Sequence, residues 1–262
     1  MRILFIGDIV GQAGRQMLTR HLDRLVDRHR IDFTVANVEN AADGLGVTPE
    51  IASEILAMGV DCLTSGNHIW DKRQITDYID TQPRLLRPIN YPQDLPGRGT
   101  YLGETPSGLL VGVVNVMGRI FMPPTDDPFR SARAALQTLS ARTKVLIVDM
   151  HAEATSEKMA MGWYLDGRAS AVIGTHTHVP TADERILPGG TAFITDAGMT
   201  GSFDSVIGME KEPALARFLT HMPERLTSAR KDARLCGVLL DVDEGTGRAR
   251  AIDRLMVSGD DA

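Results

Sequence analysis

Two histidines lie two residues apart in Gly174-Thr175-His176-Thr177-His178. On an extended or loop backbone such a pair points one way. That suits two ligands of one metal ion, or one ligand each for two adjacent ions. The glycine ahead of them lets the backbone approach closely, since it carries no Cβ. The pair alone is weak evidence, because many such pairs are surface loops or core imidazoles. It gains weight from its company upstream. Asp8, Glu39, Asn40, Asn67, His68 and His151 each follow an apolar run and stand at or just beyond its end. Together these groups mix oxygen and imidazole donors without a thiolate, a set that suits Mn, Fe or Zn better than Ca, Mg or a structural zinc. They are too many for one ion, but they fit two ions bridged by a carboxylate, typically about 3.5–4 Å apart.

The elements that must position them follow one rhythm. Arg2-Ile3-Leu4-Phe5-Ile6 is a continuous apolar strand, and Asp8 falls at its C-terminal edge, where open α/β sheets place ligands. A turn residue or helix cap is the plainer reading of Asp8. Gly11 and Gly14 lead into a helix with Met17, Leu18, Leu22, Leu25 and Val26 as its apolar stripe. His21 and His29 of that helix read as surface residues. Phe33–Ala36 is a second strand, ending in Asn37-Val38-Glu39-Asn40; amides with no turn glycine beside them are poor strand residues. Thr48 then reads as an N-cap, with Pro49 at the first helical position and Gly59 as the stop. Cys62-Leu63-Thr64 is a third strand and delivers Asn67 and His68. Three strand–cluster–helix units at intervals of about thirty residues are βαβ rhythm and predict a mostly parallel sheet.

Residues 82–108 read as irregular loops with short strands, and residues 109–116 as a strand. The segment Arg119–Asp127 is a loop placed to overhang the site. Pro128 opens a helix; Val145–Val148 is a strand running out at Asp149-Met150-His151. A helix from Ser156 to Gly167 follows, with Trp163 and Tyr164 expected in packing. Ala171-Val172-Ile173 is the strand that delivers His176 and His178, and Thr195–Met199 is a turn placed to brace them. A helix over 213–221, strands over 235–242 and 249–256, and a loose tail from Gly259 to Ala262 complete the chain.

The 262 residues are 43% hydrophobic and 24% charged, an ordinary globular composition, with no break that demands a second domain. The net charge of −6 argues against stable nucleic-acid binding. No apolar run reaches membrane-spanning length. The first residues enter a strand without a signal-peptide pattern, so a cytoplasmic protein is expected. Cys62 and Cys236 lie in apolar runs and read as buried reduced thiols.

The ordered set Asp8, Asn37-Val38-Glu39-Asn40, Gly66-Asn67-His68, His151 and Gly174-Thr175-His176-Thr177-His178 resembles the calcineurin-like metallophosphoesterases, and most of all their YmdB-like bacterial cyclic-nucleotide phosphodiesterase branch. The resemblance covers nearly the whole chain. It departs from the broad superfamily twice. An Asp-x-His motif there reads Asp8-Ile9-Val10 here, and a Gly-Asp-x-x-Asp motif reads Asn37-Val38-Glu39-Asn40. The YmdB-like branch resembles this chain in both places.

The resemblance implies one α/β domain over residues 1–262. Its fold is an α/β/β/α sandwich with a dinuclear site at the C-terminal ends of the strands. It implies Glu39 as the bridging carboxylate and Asn40 in the missing histidine's role. One ion would be held by Asp8, Glu39, Asn40 and His178, the other by Glu39, Asn67, His151 and His176. Iron is the implied metal, with manganese able to replace it. The implied reaction is hydrolysis of cyclic nucleotides, 2′,3′-cyclic ribonucleotides above others, by a bridging hydroxide. Two cations lower the pKa of such a water from 15.7 toward roughly 7. His68 is the candidate general acid. Asp71, three residues on, either keeps that imidazole charged or caps the following helix. A regulatory or nucleotide-sensing protein with incidental turnover, and a dinuclear amide or ester hydrolase, are the competing functions. A homo-oligomer is common for such proteins.

Overall fold

A computed structural model describes residues 1–259. Of the expected tail, residues 260–262 lie outside them. The first sheet opens with β1 (Arg2–Ile6), β2 (Asp8–Ile9), β3 (Phe33–Asn37) and β4 (Cys62–Thr64). The second holds β5 (Thr100–Glu104), β6 (Leu110–Met117), β7 (Val145–His151), β8 (Ala171–Thr175), β9 (Arg185–Ile186) and β10 (Ala192–Ile194). The chain then returns to the first sheet through β11 (Met199–Ser202), β12 (Ala233–Val242) and β13 (Ala249–Ser258). The orders are β2-β11-β12-β1-β3-β4, with β13 paired to β12, and β5-β6-β7-β8-β10-β9.

Strand alternation explains the layers. Along β1, Ile3 and Phe5 enter a core shared with Val111, Val113, Val145 and Ile147 of the second sheet. Leu4 and Ile6 face the other way, against α1 (Gly11–His29), α2 (Pro49–Ala57) and α3 (Ile75–Thr81). Along β7, Val145 and Ile147 point inward. Leu146 and Val148 point out to α4 (Pro128–Leu139) and α5 (Thr155–Leu165). The result is the α/β/β/α sandwich that the resemblance implies. A sixth helix, α6 (Lys211–Thr220), buries only Ala214. Among the described residues no helix is long and apolar enough to cross a membrane.

Thr48 caps α2 as expected, its hydroxyl accepting from the Ile51 amide at 3.3 Å. Other expectations need correction. Instead of one mostly parallel sheet there are two mixed ones. The βαβ rhythm correctly foretells β1-β3-β4 and β6-β7-β8-β10 as parallel ladders. Yet β12 runs antiparallel to β1, β11 and β13. His21 is buried on the apolar side of α1, not on the surface. Trp163 is 53% exposed instead of packed, although Tyr164 packs edge-on against Phe129 at 5.5 Å. Asp71 does not cap α3, which begins after Gln74.

Candidate metal centre

The parallel ladders of both sheets end on the same side of the sandwich. β3, β4, β7 and β8 stop at Asn37, Thr64, His151 and Thr175, and β2 starts at Asp8. Every residue singled out from the sequence lies in or just beyond these ends. Glu39, Asn67, His151 and His176 converge on one point. The His151 Nε2 atom is 3.0 Å from Glu39 Oε1, 3.2 Å from Asn67 Oδ1 and 3.1 Å from His176 Nδ1. Donor atoms of Glu39, His151 and His176 all lie within 4.8 Å of one another. Beside them, His178 Nε2 approaches Asn40 Oδ1 at 3.3 Å, and Asp8 Oδ2 accepts from the His176 amide at 3.2 Å. The two histidines of the pair therefore serve neighbouring halves of one cluster.

Neighbouring groups fix which atoms face inward. The Asn40 amide nitrogen donates to the Gly44 carbonyl at 2.9 Å, which leaves its oxygen for the cluster. His178 Nδ1–H donates to the Ile207 carbonyl at 2.8 Å, leaving Nε2 free to act as a ligand. Thr175 Oγ1 donates to Asp149 Oδ1 at 2.6 Å and accepts from His151 Nδ1–H at 2.9 Å. His151 Nε2 then presents a lone pair to the lone pairs of Glu39, Asn67 and His176. Such a set of acceptors holds together only around a proton or a cation.

The electrostatics state the same demand. Burial works against a charged His151, but the facing Glu39 carboxylate, with Asp8 and Asp149 behind it, raises its pKa to about 9. Burial also opposes a charged Glu39, yet His151 and His68 hold it down to about 2. Burial and the His151 charge push His176 to about 3. Burial raises Asp149 to about 6 and raises Asp8 as well. The buried Asp8 Oδ1 has no hydrogen-bond partner among the described residues. An orphaned carboxylate oxygen and a ring of inward-facing acceptors fit a bound cation. Gly66 is pressed against them. A Cβ there would lie 2.1 Å from His151 Nε2 and 2.3 Å from Glu39 Oε2.

His176 and His178 have φ of 98° and 66°. A non-glycine residue in this region costs of order 1–3 kcal/mol and persists only where its surroundings enforce it. Here the enforcing group is Asp196. Its Oδ2 accepts from the Thr177 amide at 3.1 Å and from the Thr177 hydroxyl at 2.7 Å. Lys158, fully buried, pairs with the same oxygen at 2.7 Å and donates to the Thr175 carbonyl at 2.7 Å. Asp196 falls in the turn expected to brace the site. Lys158 carries no such signal in the sequence. A lysine on a helix ordinarily reads as solvated, and its partner lies 38 residues away.

His68 stands at the rim. Its amide donates to Glu39 Oε2 at 3.1 Å, and its Nδ1 lies 2.7 Å from Asp71 Oδ2. It opens onto a cleft of about 890 Å³ that Glu39, Asn40, His176 and His178 also line. The far wall is apolar and comes from Val206, Ile207, Met209 and Phe218. Arg119–Asp127, expected to overhang the site, contributes no lining residue to this cleft. That loop is tied back to α5 instead, where Glu157 accepts from the Arg119 and Ile120 amides at 3.0 and 3.3 Å.

The YmdB-like protein family profile matches residues 4–255. The chain is 49% identical over 261 residues to the 2′,3′-cyclic-nucleotide 2′-phosphodiesterase of Bacillus subtilis (strain 168), covering 99% of this chain and 98% of that one. A crystal structure of a hypothetical protein from Thermus thermophilus aligns with a TM-score of 0.92 at 45% identity, over 98% of this chain and 99% of that one. A crystal structure described as a novel phosphatase, from Mycoplasma pneumoniae, aligns with a TM-score of 0.91 at 32% identity, over 98% and 93%. With sequence, fold and site geometry agreeing along nearly its full length, the chain belongs to the YmdB-like protein family.

Proposed function

We propose that this protein is a metal-dependent phosphodiesterase that opens 2′,3′-cyclic nucleotides. The observation that carries the reading is the convergence of Glu39, His151 and His176 donor atoms within 4.8 Å, at the floor of an open cleft. The name of the Bacillus subtilis relative supports the substrate class. Two ions occupy the centre in this reading. Asp8, Glu39, Asn40 and His178 hold one; Glu39, Asn67, His151 and His176 hold the other. Iron is the favoured metal and manganese its substitute. When bound, the pair supplies Lewis acidity toward the phosphate and lowers the pKa of water.

The chain's own residues do the rest. Asp71 accepts from His68 Nδ1–H and so turns Nε2 of that ring toward the cleft. The oxygen of a water molecule bonds to phosphorus as the P–O2′ bond breaks, and His68 donates its Nε2 proton to O2′, leaving a free 2′-hydroxyl and a 3′-monophosphate. The Lys158–Asp196 pair keeps the loop of His176 and His178 in its constrained shape. The wall of Ile207, Met209 and Phe218 shields one side of the cleft from water. The reading treats residues 1–262 as one domain. A core shared by both sheets, and a centre drawn from both, support that.

Metal analysis of the purified protein, paired with incubation on 2′,3′-cyclic AMP, tests the reading. Two ions per chain and accumulation of 3′-AMP are expected. Metal-loaded protein that leaves 2′,3′-cyclic AMP and bis-p-nitrophenyl phosphate intact while cleaving esters or amides would refute it.

A further inference from the structure

A second cavity opens at the other end of the sandwich, where β7 and β8 begin. Its volume is about 580 Å³, within the range of small-molecule sites. Arg133 and Gln137 reach it from α4, Lys144 from the residue before β7, Arg168 from the α5–β8 connection and Arg248 from the β12–β13 turn. Among the described residues, no carboxylate lines it and none of these four cations is held in an ion pair. Four unneutralised positive charges on one rim stand out in a chain of net charge −6.

The nearby polar groups are already committed. Asp166 accepts from the Gly189 and Thr191 amides at 2.7 and 3.3 Å. Asp243 accepts from the Thr246 amide and hydroxyl, each at 2.8 Å, and pairs with Arg250. These bonds shape the walls, and neither acid forms an ion pair with any of the four cations. The walls also lock together. Gly247, at φ 75°, packs so closely that a Cβ would lie 2.1 Å from the Lys144 carbonyl oxygen. Gly190, at φ 95°, lies under the Arg248 side chain, where a Cβ would meet Cγ at 2.8 Å. One turn of the first sheet is thereby fixed against the second, and Arg248 is directed along the cavity.

These four side chains are solvent-exposed and line one cavity, so an anion seated there is drawn by several cations at once and their weak attractions add. The Thr143 and Thr246 hydroxyls are already engaged, so the four cations and the Gln137 amide are the groups left for recognition. We propose that this cavity is a second binding site, distinct from the metal centre, for a small polyanion with two or more linked phosphates. A nucleoside polyphosphate and an inorganic polyphosphate share that chemistry. The concave shape and the acidic remainder of the protein favour such a molecule over a nucleic acid, which would call for an extended basic surface. The site lies roughly 20 Å from the metal centre, the length of β7 at about 3.3 Å per residue.

Calorimetric titration of the metal-loaded full chain with tripolyphosphate, ATP and orthophosphate tests this, comparing wild type with Arg168→Gln/Arg248→Gln. Both proteins keep the metal centre, so any binding there is common to the two. The expected result is a salt-sensitive site for the linked phosphates that the double variant weakens at least about tenfold. Arg133→Gln should weaken it in the same direction. Melting curves without ligand should match wild type, showing that the variants fold. Equal affinity for tripolyphosphate and ATP identifies the phosphate chain as the ligand; binding of ATP alone identifies a nucleotide. Identical isotherms for wild type and variants would overturn the proposal. Equal affinity for orthophosphate would overturn it too.

Discussion

Asn67 and His68 are adjacent in the chain and divide their work by direction. Asn67 turns its oxygen to His151 inside the cluster, while His68 leans to the rim on Asp71. In the proposed reaction, His68→Ala removes the proton donor and leaves the inward-facing donors in place. Hydrolysis of 2′,3′-cyclic AMP should fall by about 10²–10⁴-fold, with the metal stoichiometry unchanged. Parallel loss of metal would instead make His68 part of the scaffold of the centre. Asp71→Asn, which keeps the hydrogen bond's shape but not its charge, should give an intermediate rate.

At the scale of elements, the loop after β8 depends on α5. Lys158 crosses from that helix to Asp196 and to the Thr175 carbonyl, both at 2.7 Å, and neither charged group of the pair touches solvent. Lys158→Met leaves the Asp196 charge buried without its counterion. Such a loss costs about 3–5 kcal/mol. Urea unfolding should show it, and metal affinity should fall as the loop relaxes. Retention of both would mean that Asp196 is held by its amide donors alone. This dependence also marks where sequence reading stops. Asp8, Glu39, Asn67 and His151 are visible in the sequence because each follows an apolar run, and the structure brings them together. The left-handed backbone of His176 and His178 is not visible there, because it is imposed by contacts from β2, α5 and the turn after β10. The four-residue β11 is too short to be told from the turn before it. The antiparallel role of β12 escapes for another reason: apolar content does not encode which edge a strand will join.

For the whole molecule, the candidate centre draws its residues from both sheets, and bound ions would clasp them together. Asp8, Glu39, Asn40 and Asn67 belong to the first; His151, His176 and His178 lie at the strand ends of the second. Ions bound only by the folded state stabilise it by about 2.7 kcal/mol at a hundredfold excess over Kd. Chelation should therefore lower the melting temperature by roughly 5–10 °C, and restored metal should recover it. An unchanged melting curve would count against ligands from both layers. Stability should also decline in alkali. Burial raises Cys236 to about 12 and Cys62 well above the usual thiol value. Above about pH 8.5 the unfolded chain loses those protons while the folded chain keeps them, so unfolding gains at most about 1.4 kcal/mol per pH unit for each thiol. Urea midpoints at pH 8 and 10 should differ, and Cys62→Ala/Cys236→Ala should narrow the gap.

The pairing of β1 with β12 joins residues 2–6 to residues 237–241. Ribosomal synthesis delivers β1 long before β12. Until then one edge of β1 is unpaired, and its inward-facing Ile3 and Phe5 lack the Val238 and Leu240 of β12 that share their core. A nascent polypeptide thus carries a sticky seam from the emergence of β1 until β12 arrives, and a product cut short before β12 keeps it.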